Sequence, residues 1–385
     1  MRDSWLAIGL ISGTSADGID AALVETDGVA PPHLIAFQSH PYPSEIRRRV
    51  LVLQQPGPGE IDELGMLDRE LGDLFAQAAV DVSTAAGVNL ERIAVIGSHG
   101  QTVRHRPPAF SLQIANPFRI SAATGVTTVA DFRPADLAQG GEGAPLVPLL
   151  HQALFAQPGR RVAVLNLGGI ANVTALHADP DQPLLAGDTG PANTLLDLLA
   201  ARVSDGQEQC DINGRRAAAG KVDESALAWL MAHPYLPRPL PKSTGREAFG
   251  PGLLDEFLQR FPELTIADRF ATLTRFTAAS VAAATRAVLP PSPERLVLCG
   301  GGAHNPELVR HLADLLPACD IRNSRDLGVD TDALEAQAFA WFAVRTLKGL
   351  PSSLPGATGA KAAAVLGSIH PGRRGAKGTF SLAQG

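Results

Sequence analysis

The sequence predicts an α/β protein of two domains, and three observations carry that prediction. First, 385 residues exceed what one hydrophobic core usually holds, at roughly 150 residues per domain. Second, short apolar runs end repeatedly in Gly, Ser, Thr and Asp and alternate with helical patterns. That puts polar groups at strand ends, where open α/β sheets bind their ligands. Third, a strand, a glycine-bearing turn and a second strand occur at 6–24 and again at 161–176; the likeness is one of pattern and hints at two domains built on one plan.

Composition narrows the partners. With 45% hydrophobic and 19% charged residues the chain reads as globular, and 38 glycines and 30 prolines imply many tight connections. A formal net charge of −6 disfavours nucleic acid and makes any anionic small ligand dependent on local cations or a metal. Cys210, Cys299 and Cys319 show no CxxC or metal-ligand spacing, so reduced thiols in a cytoplasmic protein are expected. No signal-peptide pattern and no run of about 18 apolar residues is present, so neither secretion nor membrane spanning is expected.

The first element is a hairpin, with strands at 6–11 and 19–24 around Ser12-Gly13-Thr14-Ser15-Ala16-Asp17-Gly18. Gly13 and Gly18 let successive amides face one point, and Ser12, Thr14 and Ser15 add hydroxyls, so the loop can bind an anion without a lysine. Asp17 and Asp20 would repel a bound polyphosphate unless a divalent cation stood between, so the pair suggests Mg²⁺ held directly or through water. An ordinary Asp-Gly hairpin turn is the other reading. A proline-rich connection is expected over 31–43, then an amphipathic helix at 44–53 with Arg47, Arg48 and Arg49 on its solvated side. A longer helix follows at 60–86, where Leu64, Leu67, Leu71, Leu74 and Phe75 form a core-facing stripe.

The next strand, 92–96, ends in GSHGQT at 97–102, which carries His99, Gln101 and Thr102. His99 taken alone fits a hydrogen-bonded structural histidine better than a ligand contact. The run 127–133 ends in Arg133, a candidate for gripping a substrate carboxylate through its fork of N–H donors. A Gly/Pro-rich stretch at 136–148 approaches the second domain. There, strands at 161–167 and 170–176 flank Gly168-Gly169, and an apolar approach at 183–186 leads into Gly187-Asp188-Thr189-Gly190-Pro191-Ala192-Asn193. Asp188 is well placed as a general base, with turn amides able to bind a second anion; capping the helix that starts near Thr194, or an Asx-turn, is the other reading. Lys242 and Arg246 could reach phosphate or substrate, or belong to an exposed basic loop. An Ala-rich helix at 270–289 is scaffold. A strand at 294–299 ends in Gly300-Gly301-Gly302-Ala303-His304-Asn305-Pro306, where a flat or anionic ligand could approach the backbone, and a helix spans 307–316. A helix at 332–347 turns Glu335 to one side, and a last apolar run occupies 362–369.

GxxxxGK[ST], HExxH, GxSxG and clustered Cys/His ligands are absent, so ATP use would need something other than a P-loop. The polar strand ends at 13–20, 187–193 and 300–305 resemble the layout of the superfamily uniting actin, the heat-shock chaperone ATPases and the sugar kinases. That resemblance implies a two-domain actin-like, ribonuclease H-like fold. Its phosphate loops would close on Mg·ATP in an interdomain cleft, with a hinge that excludes stray water, and a glycine-rich segment of the second domain would hold the adenosine. The resemblance then becomes specific. SGTS at 12–15, Asp17-Gly18, Asp20, GSHGQT, ADFR at 130–133, GDTGPAN at 187–193, KSTGRE at 242–247, CGGGAHNP at 299–306 and TGA at 358–360 are similar, in order and over nearly the whole chain, to the anhydro-N-acetylmuramic acid kinase family.

That resemblance implies an enzyme that uses ATP and water to open the 1,6-anhydro ring of anhydro-N-acetylmuramate and phosphorylate O6. N-acetylmuramate 6-phosphate and ADP would be the products, in peptidoglycan recycling. It assigns ATP to Gly13, Thr14, Ser15, Ala16, Asp17, Gly18, Ile19, Asp20, Gly168, Gly190, Gly301, Gly302 and Asn305, with Mg²⁺ at Asp17 and Asp20. It assigns the acidic sugar to His99, Gln101, Thr102, Arg133 and Glu335, and the water-activating base to Asp188. Ala16 departs from relatives that often carry a larger apolar residue, which should matter little because the loop's donors are backbone and hydroxyl groups. The domains implied are 1–138, with 350–371 packing back on it, 139–349 with the adenosine site, and a tail at 372–385. A homodimer is left open. The alternative is another actin-like ATPase or sugar kinase with a different substrate; a chaperone-type ATPase would need a peptide-binding domain, and a non-catalytic sugar-binding protein would not explain Asp17, Asp20 and Asp188.

Overall fold

The structure is a computed structural model that describes residues 4–55, 57, 60–179 and 181–373. The chain forms two compact units, one running up to Ala153 and resuming at Asp332, the other Leu154–Thr331. In order, the first unit contributes β1 (Trp5–Ser12), β2 (Gly18–Thr26), β3 (His33–Pro41), α1 (Ser44–Leu53), α2 (Glu60–Ala85), β4 (Ile93–Arg106), β5 (Phe110–Ile114), α3 (Pro117–Thr124), β6 (Thr128–Ala130) and α4 (Pro134–Ala138). The boundary falls within α5 (Pro148–Phe155). The second unit contributes β7 (Val162–Leu167), β8 (Ile170–Leu176), β9 (Leu185–Pro191), α6 (Thr194–Val203), α7 (Arg215–Ala219), α8 (Glu224–Met231), α9 (Pro251–Arg260), α10 (Ile266–Val288), β10 (Arg295–Cys299), α11 (Pro306–Leu315) and β11 (Asp320–Asn323). The chain then adds α12 (Leu334–Leu347), α13 (Pro355–Thr358) and β12 (Ser368–His370) to the first unit.

The two sheets repeat one plan. The first runs β12-β6-β4-β1-β2-β3 with β5 beside β4, and the second runs β11-β10-β7-β8-β9. In each, three consecutive strands form an antiparallel meander. Two later strands add in parallel to the free flank of the first strand. A duplicated 3-2-1-4-5 order of this kind is the actin-like, ribonuclease H-like architecture expected from the sequence. Among the described residues no helix is long and apolar enough to cross a membrane.

The first unit is built in layers by period-2 alternation. Ile8 and Leu10 of β1 face a core with Leu67, Leu71 and Phe75, the apolar stripe of α2. The other face carries α12, whose residues from Ala336 to Val344 are all buried. Gly9 and Gly97 are register partners on β1 and β4. A Cβ on Gly9 would overlap the Ala336 carbonyl oxygen, and one on Gly97 the Phe339 carbonyl oxygen. The helix therefore lies directly on the sheet backbone.

Several boundaries differ from the sequence reading, each for a physical reason. The segment 332–349, expected in the second domain, packs with the first unit because the glycine floor of β1 and β4 seats α12; the earlier boundary lies at Ala153/Leu154 rather than 138/139. The proline-rich connection at 31–43 contains β3, paired with β2 from Gly18↔Pro41 to Glu25↔His33; its prolines mark only the ends of an edge strand, where a missing N–H is tolerated. GSHGQT lies inside β4, which pairs with β5 as far as Arg106. GDTGP likewise lies inside β9, opposite β8. Of the run at 362–369, only its end enters a strand, β12, antiparallel to β6. The tail read at 372–385 falls, beyond Arg373, outside the described residues.

Gly97→Ala should lower the stability of the protein by about 2 kcal/mol or more, because a backbone oxygen in a packed helix cannot give way. Gly65→Ala, on α2 with nothing near its Cβ position, should be neutral or stabilising by about 0.5–1 kcal/mol. Urea unfolding midpoints of the two variants check the contrast.

Candidate active site

In the first unit the loop after β1 is held from behind by two glutamine side chains. Gln101, with no accessible surface, accepts a hydrogen bond from Ser12 Oγ at 2.7 Å and donates to the carbonyls of Gly13 and Thr102 at 3.0 and 3.2 Å. Gln54 Nε2 donates to Thr14 O at 3.0 Å. Two of the loop's carbonyls are thus tied inward, while Gly13, Thr14 and Ser15 stay exposed. Ala16 closes the turn, its N–H donating to Gly13 O at 3.1 Å. It is buried at φ 53°, a conformation that a larger apolar residue would strain further. Gln101 therefore braces the loop and does not present its amide as the substrate contact expected of it. Thr102 accepts from Gln113 Nε2 at 3.1 Å.

Asp17, Asp20 and Glu335 come together around a cavity of about 400 Å³ in this unit, bounded also by Gly13, Ser15 and Gly18 of the loop. Ser39, Phe37 and Asp332 complete the lining, and none of the three was singled out in the sequence. One of them had a readable signal: Asp332 stands three residues before Glu335 in the same acidic stretch; Ser39 is the register partner of Asp20 on β3, an edge strand that the flanking prolines hide in the sequence. Asp17 pairs with Arg47 Nη2 at 3.1 Å. The Asp20 carboxyl is held above its ordinary value by burial, with the Asp332 and Asp17 charges adding to the rise and the Ser39 hydrogen bond opposing it. The Glu335 carboxyl keeps accessible surface where it lines the cavity, but protein encloses it enough to raise it as well, against the pull of the Arg133 charge.

Arg133 and His99 form a joined pair. Arg133 Nε and Nη2 lie 3.1 and 2.8 Å from His99 Nε2, and Arg133 Nη1 donates to Gly143 O at 2.6 Å. Because the guanidinium has only donors, Nε2 must accept and Nδ1 carries the proton, which it donates to Gly100 O at 3.0 Å. Burial and the adjacent Arg133 charge hold His99 well below its ordinary value, so the ring is neutral. Burial brings Arg133 down to about 10, which leaves it cationic at neutral pH. His99 also stacks on Phe339 of α12 at 4.6 Å.

In the second unit, Asp188 sits within β9, six residues before the start of α6, whose N-cap is Asn193. The helix-cap reading of Asp188 therefore falls. Its Oδ2 accepts from Thr244 N at 2.9 Å, its N–H donates to Lys242 O at 2.9 Å, and Tyr235 Oη donates to its carbonyl at 3.0 Å. Lys242 is spent on this framework: Nζ donates to Tyr235 O and Leu236 O at 3.2 and 2.8 Å and lies 4.4 Å from the Tyr235 ring centre. The KSTGRE motif thus shapes the surroundings of Asp188.

A second cavity, of about 370 Å³, is lined by Gly301 and Asn305 together with Asn193, Asp197, Cys210 and His304, among others. Asn305 caps α11, accepting from Glu307 N and Leu308 N at 3.1 and 3.2 Å. Gly300, at φ 77°, and Gly302 allow β10 to end tightly against Asn166 and Leu167. Gly168 is bound through its carbonyl by Asn193 Nδ2 at 2.8 Å. A Cβ on Gly190 would press on Ser280 of α10 at 3.1 Å. Gly168, Gly190 and Gly302 thus shape the strand ends of this unit, while Gly301 and Asn305 line the cavity. Burial pushes the Asp197 carboxyl up to about 6 despite the opposing Arg246 charge; an isolated Asp in a leucine-rich helix gave no sequence signal of this.

A duplicated ribonuclease H-like sheet with a hydroxyl- and glycine-lined loop after its first strand defines an actin-like ATPase or sugar kinase. Residues 5–372 match the family model described as anhydro-N-acetylmuramic acid kinase. The chain is 45% identical over 369 residues to the anhydro-N-acetylmuramic acid kinase of Shewanella amazonensis, covering 95% of this chain and 98% of that one. It is 46% identical over 364 residues to the enzyme of the same name from Shewanella baltica, covering 94% and 97%. Among solved structures it is similar to component A of the Acidaminococcus fermentans (R)-2-hydroxyglutaryl-CoA dehydratase, with a TM-score of 0.46, 13% identity and coverage of 89% and 98%. The chain belongs to the anhydro-N-acetylmuramic acid kinase family. It is accordingly a sugar kinase that uses ATP.

The neutral, buried His99 has a pH consequence. A histidine whose folded value is depressed gives stability that is fully present above its unfolded value near 6.5 and is lost as pH falls below it. His99→Gln should therefore make stability less steeply pH-dependent between pH 6.5 and 5, by roughly one proton taken up on unfolding. Urea titrations at pH 7, 6 and 5 measure the change in slope.

Proposed function

We propose that this chain opens the 1,6-anhydro ring of anhydro-N-acetylmuramic acid with water and transfers the γ-phosphoryl group of ATP to O6, releasing ADP. Water attacks the anomeric carbon, the bond from that carbon to O6 breaks, O6 takes the phosphoryl group, and the proton of the water goes to Asp188. The observation that carries the reading is the mounting of Asp188. Its carboxylate is held by a backbone amide on a strand whose other contacts, Lys242 O and Tyr235 Oη, fix the main chain. A base mounted this way typically contributes ~10²–10⁴-fold. Arg133 and Glu335 bind the acidic amino sugar, the former through charge-assisted hydrogen bonds to a carboxylate. The loop Gly13 to Asp20 takes the ATP phosphates, and the glycine-rich end of β10 the adenosine.

A divalent cation fits the first cavity. Asp20 is raised by its own burial and by the Asp332 and Asp17 charges, a concentration of negative charge that a cation would relieve. Mg²⁺ is commonly bound through one or two carboxylates plus phosphate oxygens and waters, and Asp17 and Asp20 both line this cavity. Asp20, with Asp17, would hold it, and when bound it supplies neutralisation of phosphate charge. A cytoplasmic setting, where ATP is available and cysteines stay reduced, goes with this reading.

ADP release measured with and without anhydro-N-acetylmuramate tests the reading directly. Release that depends on the sugar and is abolished by EDTA supports it, whereas sugar-independent hydrolysis would favour a different actin-like ATPase.

Asp188→Asn keeps the shape and an acceptor for Thr244 N while removing the base. It should lower kcat by about 10²-fold or more while both ligands still bind by calorimetry. Near-normal turnover would return Asp188 to a structural role.

A further inference from the structure

Asp136 of α4 is a carboxylate with no accessible surface that none of the chemistry above uses. Oδ2 accepts from Gly143 N at 2.8 Å, and Oδ1 accepts from the hydroxyl of Thr358 at 2.7 Å, the two donors lying 215 residues apart in sequence but in one unit. Backbone hydrogen bonds tighten the same knot: Gly141 N to Asp136 O at 3.0 Å and Glu142 N to Thr358 O at 2.9 Å. Gly141 passes so close that a Cβ there would overlap Asp136 Oδ2. This is what the Gly-rich stretch 136–148 and the TGA motif build together.

The knot ends on a carbonyl that holds Arg133. Gly143 O accepts from Arg133 Nη1 at 2.6 Å, Nε and Nη2 turn to His99 Nε2, and the Glu335 and Asp136 charges act on the guanidinium as well. Its hydrogen bonds thus go to two acceptors, and one of them is pinned by Asp136 through the amide of the same residue. A buried carboxylate is costly unless its oxygens are satisfied. An apolar side chain would fill the space more cheaply, but it would not hold donors from two distant segments in a fixed relation.

We propose that Asp136, together with Thr358, is a positioning residue that sets the Arg133 guanidinium for the acidic group of the sugar. The inference rests on the sugar kinase reading above. It predicts that loosening the knot harms sugar binding through Arg133 and leaves nucleotide use alone.

Thr358→Val is nearly isosteric and removes only the hydroxyl. In the full chain it should raise the KM for the sugar about tenfold and change the KM for ATP less than about twofold. Combined with Arg133→Ala it should add little to the effect of Arg133→Ala alone, because both act on one contact. Asp136→Asn, which can still accept from Gly143 N and donate to Thr358 Oγ1, should lie closer to the wild type than Asp136→Ala. The imidazole ¹⁵N resonances of His99 give a readout independent of turnover: they should move in Thr358→Val as the Arg133 donors shift. Additive losses in the double variant, equal changes in both KM values, or unmoved His99 resonances in folded Thr358→Val would each overturn the proposal. If the wild type shows no turnover of the sugar, the substrate reading fails, and the His99 resonances alone then decide whether Asp136 and Thr358 position Arg133.

Discussion

The seating of α12 on the paired glycines of β1 and β4 is the constraint on which the first unit depends. Because Gly9 and Gly97 are side by side in register, they clear a floor on which alanine-rich helix backbone can rest. The first turn of the helix then delivers Glu335 to the cavity beside Asp20. One turn further on, Phe339 meets the ring of His99 and, at 5.2 Å, that of Phe132. At the far end Arg345 Nη1 and Lys348 Nζ donate to the carbonyls of Gly28 and Asp27, both at 2.8 Å, so the helix is fixed at both ends. A segment distant in sequence from the loop after β1 is in this way brought to the same cavity.

The cations of the molecule show how little of a motif's charge need be turned toward a ligand. Lys242 invites a phosphate-binding role, yet its ammonium is satisfied by two carbonyls and a tyrosine face. Arg133 shares its donors between His99 and Gly143. Three donor contacts of a five-donor fork are used for fixing, which leaves the guanidinium oriented rather than fully spent. A group held this way loses little freedom when it meets a carboxylate, and that is the condition under which a charge-assisted contact yields affinity.

Much of this was legible in the sequence, and what was not has identifiable causes. The hairpin, the α2 stripe and the β7–β8 turn follow from local periodicity and were placed within a few residues. Asp17, Asp20 and Glu335 were singled out and do share one cavity. The strand lengths of β4 and β9 were missed because glycine and polar residues normally signal a strand's end; here Gly97 serves helix packing, and Asp188 is opposed by Asn172 on β8. β3 was missed because flanking prolines mask an edge strand. The allocation of α12 was missed because sequence order says nothing about which sheet a late helix covers. Gln101 was assigned to the substrate on its motif, and its burial between Ser12 and Gly13 could be learned only from the fold.

The duplication of the sheet explains why the two units can carry different chemistry at equivalent places. The turn between the first two strands spans residues 13–17 in the first unit and only Gly168 and Gly169 in the second. In the longer turn, glutamines 54 and 101 tie the carbonyls back and leave hydroxyl-bearing residues exposed. In the shorter one, Asn193 takes up the carbonyls of Leu167 and Gly168 and the turn becomes a brace for the start of α6. In the second unit the end of the fourth strand meets a cavity instead: Gly300 and Gly302 pack tightly against β7 and leave Gly301 on the cavity wall. One topology thus yields two differently lined cavities, one beside the long first turn and one beside the end of the fourth strand.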